Sequence, residues 1–216
     1  MGMTAQRWQR RRHARTPEIL AAALACFAQK GFAATRMDDI AARAGISKGT
    51  IYLYFPSKEA VFEALARQEI GDRLAAVTER IETFQGSAAD LLRMVLMLVG
   101  AMVRTGDGAV LPRMVLAEAG NFPELAAFWR REVIERGLGV FERIIRRGQA
   151  EGEFRPMPPQ HAARLCVAPM LVVALWRGVF ARFDTEPYDY EGLVAAHIDT
   201  LLRGLAAHGA ADGVER

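Results

Sequence analysis

The stretch GISKGTIYLYFPSKEAVFEAL, Gly45 to Leu65, decides how this chain folds. From Lys48 to Phe55 it crowds two tyrosines, a phenylalanine, an isoleucine and a leucine together, and Pro56 stops them. A buried helix has no use for two phenol hydroxyls, and a solvated one carries less apolar bulk. At 100° per residue, Ile51 and Phe55 share one side with Ile46 and are expected to pack on Ile40, Leu24 and Phe27. Gly49, Tyr52 and Leu53 then face the opposite way, with Lys48 and Thr50 on the flanks. That outer face holds a cation, a hydroxyl, a phenol, an apolar group and a glycine that admits close approach. Such a set suits a DNA groove, where cations and hydroxyls bond phosphates or base edges and an aliphatic group meets a thymine methyl.

Working upstream, Thr35 with Asp38 three residues later predicts a capping box opening a helix that carries Ile40 and Ala41. Ala44-Gly45-Ile46 is the tight turn, and Gly45 suits a positive φ where a Cβ would clash. Helix, tight turn, helix is the layout of a helix-turn-helix. Further upstream, Thr16-Pro17 opens a helix and Lys30-Gly31 closes it. Before it, Met1–Arg15 carries five arginines and no acid; it is expected to be a disordered basic arm, with a reach into a minor groove left open.

The charge distribution agrees with this placement. Residues 1–58 hold 10 Lys/Arg against 3 Asp/Glu, whereas 59–216 hold 18 against 22. Polyanion binding therefore belongs to the front. The two cysteines, Cys26 and Cys166, lie far apart with no metal-ligand cluster around them, which fits a reducing compartment. No Ser/His/Asp set, metal cluster or Gly-rich phosphate loop supports an enzyme, and nothing calls for a cofactor. The arginines before Ile19–Ala28 resemble a secretory leader, but the helix start at Thr16-Pro17 speaks against one. The other long apolar stretch, Leu165–Trp176, falls short of the ~20 residues of a membrane span. A soluble, cytoplasmic protein without a membrane partner is expected.

The sequence TRMDDIAARAGISKGTIYLYFPSKEAVFEAL closely resembles the DNA-binding region of the TetR family of bacterial transcriptional regulators. The likeness runs without gaps over about Thr16–Leu65, and its one small departure is Val61 where leucine is commoner. It implies a homodimer and a rear domain that binds a small effector and releases DNA. Carried over residue by residue, it makes Thr35 and Arg36 phosphate contacts. Ser47, Lys48, Gly49 and Thr50 become the groove-facing set, and Tyr52, Tyr54 and Lys58 lie on backbone phosphates.

Beyond the front, helix signals continue: Ser57 after Pro56, Ser87 with Asp90, a short helix near 111–119, Pro123 to about Gly152, Pro159 to about Phe180, and Asp189 to about Gly209. The fold class is all-α with about nine helices: an arm at 1–15, a helix-turn-helix domain at 16–62 and an effector and dimerisation domain at 63–216. The helix from Lys58 to about Phe84 would link the two domains and serve as a lever. Pro169 should kink its helix. The last two helices, with Leu201 and Leu202 among their apolar residues, are expected to form an intersubunit bundle. Met94, Met97, Met114, Phe128, Trp129, Met170 and Trp176 are candidate walls of an apolar effector cavity, with Arg177 as an orienting polar group. Plain core packing is the competing reading for each of them. The rival function is a sequence-nonspecific architectural DNA binder, which would share the basic front.

Overall fold

The structure is a computed structural model that describes residues 2–104 and 110–207, with side chains at 15–69, 71, 74, 76–102 and 110–207. Among these residues it is all-helical, with no strand and one isolated antiparallel bridge between Phe154 and Ala206. The helices are α1 (Gly2–Ala34), α2 (Met37–Arg43), α3 (Lys48–Tyr54), α4 (Lys58–Ala66), α5 (Asp72–Thr83), α6 (Ala88–Arg104), α7 (Val110–Glu118), α8 (Pro123–Trp129), α9 (Arg136–Ala150), α10 (Pro159–Leu175) and α11 (Tyr190–Leu205). Two helices expected as single pieces are each divided by a π-helical turn, at Arg67–Gly71 and at Arg130–Glu135. Counting each of those pairs once recovers the nine.

The chain divides into two compact units. The first comprises residues 1–72 and 110–132, the second 73–109 and 133–216. The division expected from chain order, with a break after residue 62, did not place α7 and α8 with the helix-turn-helix. The reason is aromatic. Phe27, Phe32, Phe62, Phe128 and Trp129 are all buried, and their rings run in edge and tilted contacts from Phe27 to Phe32, to Phe62, and on to Phe128 and Trp129. Such ring pairs add about 0.5–1.5 kcal/mol each beyond their burial. A helix-turn-helix of three short helices is a small core, and α7 and α8 extend it.

The break in α1 falls at Gly31, whose φ of 77° and ψ of 172° turn the chain out of the helix. The Thr35 hydroxyl closes the bend by donating to the Gly31 carbonyl at 2.6 Å. Before Pro17 the backbone of residues 2–15 is helical, where the sequence led us to expect a disordered arm. Ala, Gln, Met and Arg in that segment are all good helix formers.

The second unit packs α6, α9, α10 and α11 around Leu91, Leu92, Leu96, Ile144, Cys166 and Ile198. Ser87 and Asp90 form the expected reciprocal cap of α6. A second carboxylate reinforces it: Glu153 accepts the N–H groups of Ala88 and Ala89, at 3.0 Å each. The α11 helix stops at Leu205, short of Gly209, which lies outside the described residues. There the chain is drawn into the bridge with Phe154, where Arg155 N–H donates to the Leu205 carbonyl and Ala207 N–H to that of Glu153. Pro169 does not end α10, which stays helical from Pro159 to Leu175 and passes into a π-helical turn at Trp176–Phe180. The whole stretch Pro159–Phe183 is 25 residues with a mean hydropathy of 1.6 in its most apolar part, long and apolar enough by composition to span a bilayer. Cys166, Met170 and Val173 on one side close the core, while Leu165, Leu171 and Val172 stand exposed on another.

Candidate functional site

In α3 the inner face is as expected. Ile51 and Phe55 are buried with Ile40 and Phe27, Leu24 is half-buried, and Gly45 takes a φ of 66° in the turn. Ser47 caps the helix by accepting the Thr50 N–H at 3.2 Å, and its hydroxyl bonds that of Thr50 at 2.8 Å. Tyr52 and Leu53 are exposed, at 46% and 59%, and Tyr54 is half-buried. Lys48 is also exposed, its ammonium paired with Asp38 of α2 at 3.0 Å. Such a pair in solvent contributes about 0–1 kcal/mol, so a phosphate can displace Asp38. A Cβ built on Gly49 meets nothing within 4 Å. Nothing in the fold requires that glycine.

Three site residues stand differently from their sequence reading. Thr35 is buried, and its hydroxyl is spent on the Gly31 carbonyl and, at 3.3 Å, on that of Cys26. In this arrangement its hydroxyl proton is not available to a phosphate. The cap of α2 also shifts by one residue: Arg36 is the N-cap, exposed, and its N–H donates to Asp39 at 2.9 Å. Lys30 bonds the same carboxylate at 2.8 Å, and that ammonium, with the Arg36 N–H, holds Asp39 below the usual carboxylate range. Finally, Lys58 does not point into solvent. Its ammonium donates to the carbonyls of Phe32 and Ala33, at 2.7 and 3.2 Å, and sits over the rings of Phe32 and Phe122. On the same segment, Glu118 at the end of α7 accepts the Ala33 N–H at 3.1 Å. No sequence pattern within α1–α4 announces either tie, because Glu118 and Phe122 lie far along the chain.

The apolar set for an effector cavity is not brought together. Met114, Phe128 and Trp129 are buried in the first unit, and Met170 is buried in the core of the second. Met94 is half-buried against that same core, and Trp176 is half exposed, in a tilted contact with the Phe180 ring and with its ring N–H donating to Asp184. The second unit does hold a cavity of about 390 Å³ among α6, α10 and α11, and Met97 and Arg177 line it. The remaining walls lie outside the expected set: Arg93, Gly100 and Ala101 of α6, Val173 of α10, and Tyr190, Glu191, Val194, Ala195 and Ile198 of α11. The real lining is smaller side chains plus charges, a mixture no periodicity singles out.

Residues 19–65 match the family described as bacterial regulatory proteins, tetR family, and residues 85–185 match a tetracyclin repressor-like C-terminal domain. The chain belongs to the tetR family of bacterial regulators. Among its relatives, the uncharacterised HTH-type transcriptional regulator YfiR of Bacillus subtilis is 27% identical over 88% of this chain and 92% of its own. The HTH-type transcriptional regulator RutR of Escherichia coli is 45% identical over 35% of this chain and 36% of its own, a match confined to a short region. The solved structure of FadR from Bacillus subtilis in complex with stearoyl-CoA superposes with a TM-score of 0.72 at 22% identity, covering 87% of this chain and 98% of that one. This tetR-family chain is thus a helix-turn-helix transcriptional regulator of the same fold. Among the described residues there is no group of three or more His, Cys, Asp or Glu that could hold a metal. Both cysteines are buried and free.

Proposed function

We propose that this regulator is a repressor that binds a pseudo-palindromic operator as a homodimer and is released by a small amphipathic effector. The observation that carries the DNA half is the outer face of α3: exposed Lys48, Gly49, Tyr52 and Leu53 opposite buried Ile51 and Phe55. In a helix-turn-helix the second helix enters the major groove by its N-terminal residues. Ser47, Lys48, Gly49 and Thr50 are therefore read as the groove set, with Arg36, Tyr52 and Tyr54 on flanking phosphates. Homodimerisation is supported by the uncovered apolar face of α10 and the turn after it, where Leu165, Val172 and Trp176 are exposed. Two-fold protein symmetry then requires a two-fold operator. The same face explains the apolar composition of Pro159–Phe183 without a membrane, which fits a cytoplasmic protein.

The effector half is supported by the 390 Å³ cavity in the second unit and by the FadR neighbour, whose structure contains stearoyl-CoA. An effector releases DNA only through its difference in affinity between two states, so a 10–100-fold release needs about 1.4–2.8 kcal/mol. The segment Lys58–Thr83 carries the chain from one unit to the other and is the natural carrier of that coupling. The experiment is protection mapping on DNA flanking the gene, with unrelated DNA as competitor at physiological salt. A repressor holds its site by ~10³ or more over competitor. Uniform protection displaced by any DNA would make the protein an architectural binder instead.

A further inference from the structure

The cavity among α6, α10 and α11 has an uneven chemistry. Its apolar wall is Met97, Ala101, Val173, Val194 and Ile198, and its charged members are Arg93, Arg177 and Glu191. Tyr190 also lines the cavity, and its hydroxyl is buried with no hydrogen-bond partner. A buried phenol hydroxyl without a partner carries a penalty of about 1–3 kcal/mol, which an acceptor in the cavity would relieve on a small shift of the ring. The Arg177 guanidinium lies 5.3 Å from the centre of the same ring, which brings positive charge beside that phenol. Desolvation, with the Asp184 carboxylate adding to it, keeps the Tyr190 phenol protonated above its ordinary range, so it meets a ligand as a donor. Donor and cation together select a negatively charged head. A head of one negative charge is favoured over a dianion, because Glu191 in the lining and the Asp184 carboxylate, whose charge acts on Tyr190, oppose a second negative charge. The volume sets the body: at about 30 Å³ per water-sized group, 390 Å³ takes roughly a dozen heavy atoms.

We propose that this cavity binds a monoanionic amphiphile of about a dozen heavy atoms. Its head accepts a hydrogen bond from Tyr190, Arg93 and Arg177 supply the opposing charge, and its apolar body lies along Met97, Val173 and Ile198. The proposal rests on reading the protein as an effector-released regulator, and names the class of effector.

The test uses the full-length protein and three ten-carbon probes below their aggregation concentrations: decanoate, 1-decanol and decyltrimethylammonium. Calorimetric titration should find decanoate bound at least about tenfold more tightly than the alcohol, with the cation weakest. Tyr190→Phe keeps the ring under Arg177 and removes only the donor, and should weaken decanoate about tenfold or more while leaving the alcohol unchanged. Arg177→Met should do the same through charge. Equal affinity for alcohol and decanoate, preference for the cation, no decanoate binding, or an indifferent Tyr190→Phe protein would each overturn the proposal. Operator release measured beside these titrations separates the two claims. Tyr190-dependent decanoate binding with DNA retained leaves the site standing and removes the effector reading. Release by a neutral or cationic compound, indifferent to Tyr190→Phe, does the reverse.

Discussion

The Lys58 ammonium donates to the Phe32 carbonyl at 2.7 Å and lies 4.5 Å from the centre of that residue's ring. One side chain thus caps the carbonyl end of α1 and pins it to the start of α4. A charged hydrogen bond of this kind is worth about 1.5–3 kcal/mol, and a cation over a ring about 0.5–1 more. Lys58→Met should therefore lower the unfolding free energy by about 2–4 kcal/mol. A phosphate-contacting lysine would instead show in the salt dependence, where each lost contact flattens the slope of log K against log salt by about 0.9. We expect the slope of the Lys58→Met protein to match wild type. A flattened slope with unchanged stability would place this lysine on DNA.

Gly49 tests the opposite relation. Open space surrounds the position of its missing Cβ, so Gly49→Ala should leave the fold as stable as wild type or up to about 1 kcal/mol more so. DNA affinity should nevertheless fall at least about tenfold, because the methyl group would hold the backbone away from the groove. Thermal denaturation and operator titration on the same preparation check both halves.

For the dimer, sequence reasoning singled out Leu201 and Leu202, yet Leu202 is only 9% exposed and belongs to the core of its own unit, with Leu201 half-buried against it. Arginine at Leu202 should unfold the protein rather than split it, since it buries an unpaired charge. Val172, 58% exposed on α10, is the better probe. Val172→Arg should sediment as a monomer with wild-type helicity by circular dichroism. A Val172→Arg protein that remains dimeric would move the interface elsewhere.

Gly148 has no room for a side chain, because a Cβ there would overlap the ring of Phe154. Gly148→Ala should cost about 1–3 kcal/mol through overpacking. It should also loosen the turn through which Glu153 caps α6. The double variant Gly148→Ala, Phe154→Leu should recover part of the loss, which denaturant titration can read.

Burial pushes the Cys166 thiol up to about 12 from 9.0. The folded value is the higher, so the contribution is complete below about pH 9 and fades as pH rises from there toward 12. Wild type should lose more stability than Cys166→Ala between pH 8 and pH 10.5. At neutral pH a thiol reagent should label Cys166 only on unfolding.

The recognition helix was legible because its signals are local. Ser47, Gly45 and the 100° spacing of Ile51 and Phe55 fix cap, turn and inner face within a dozen residues, and the outer face follows by exclusion. The helical fold class was legible for the same reason, since caps and periodicity recur at every segment. The intramolecular ties of Thr35 and Lys58 were not legible because their partners are backbone carbonyls, at Gly31 and at Phe32 and Ala33, and carbonyls carry no sequence identity. The cavity was misread because methionines and aromatics serve equally well as core, and whether Met170 or Met97 faces a void depends on how α6, α10 and α11 pack. The sequence alone determined the all-helical class, the turn at Gly45 and the inner and outer sides of α3, all governed by interactions a few residues apart. Only the tertiary structure decided that α7 and α8 join the front unit, that Lys58 caps α1, and that Tyr190 lines a cavity with Arg93 and Arg177. Those relations join residues tens of positions apart, and close packing of side chains, unlike helical periodicity, leaves no repeating trace along the chain.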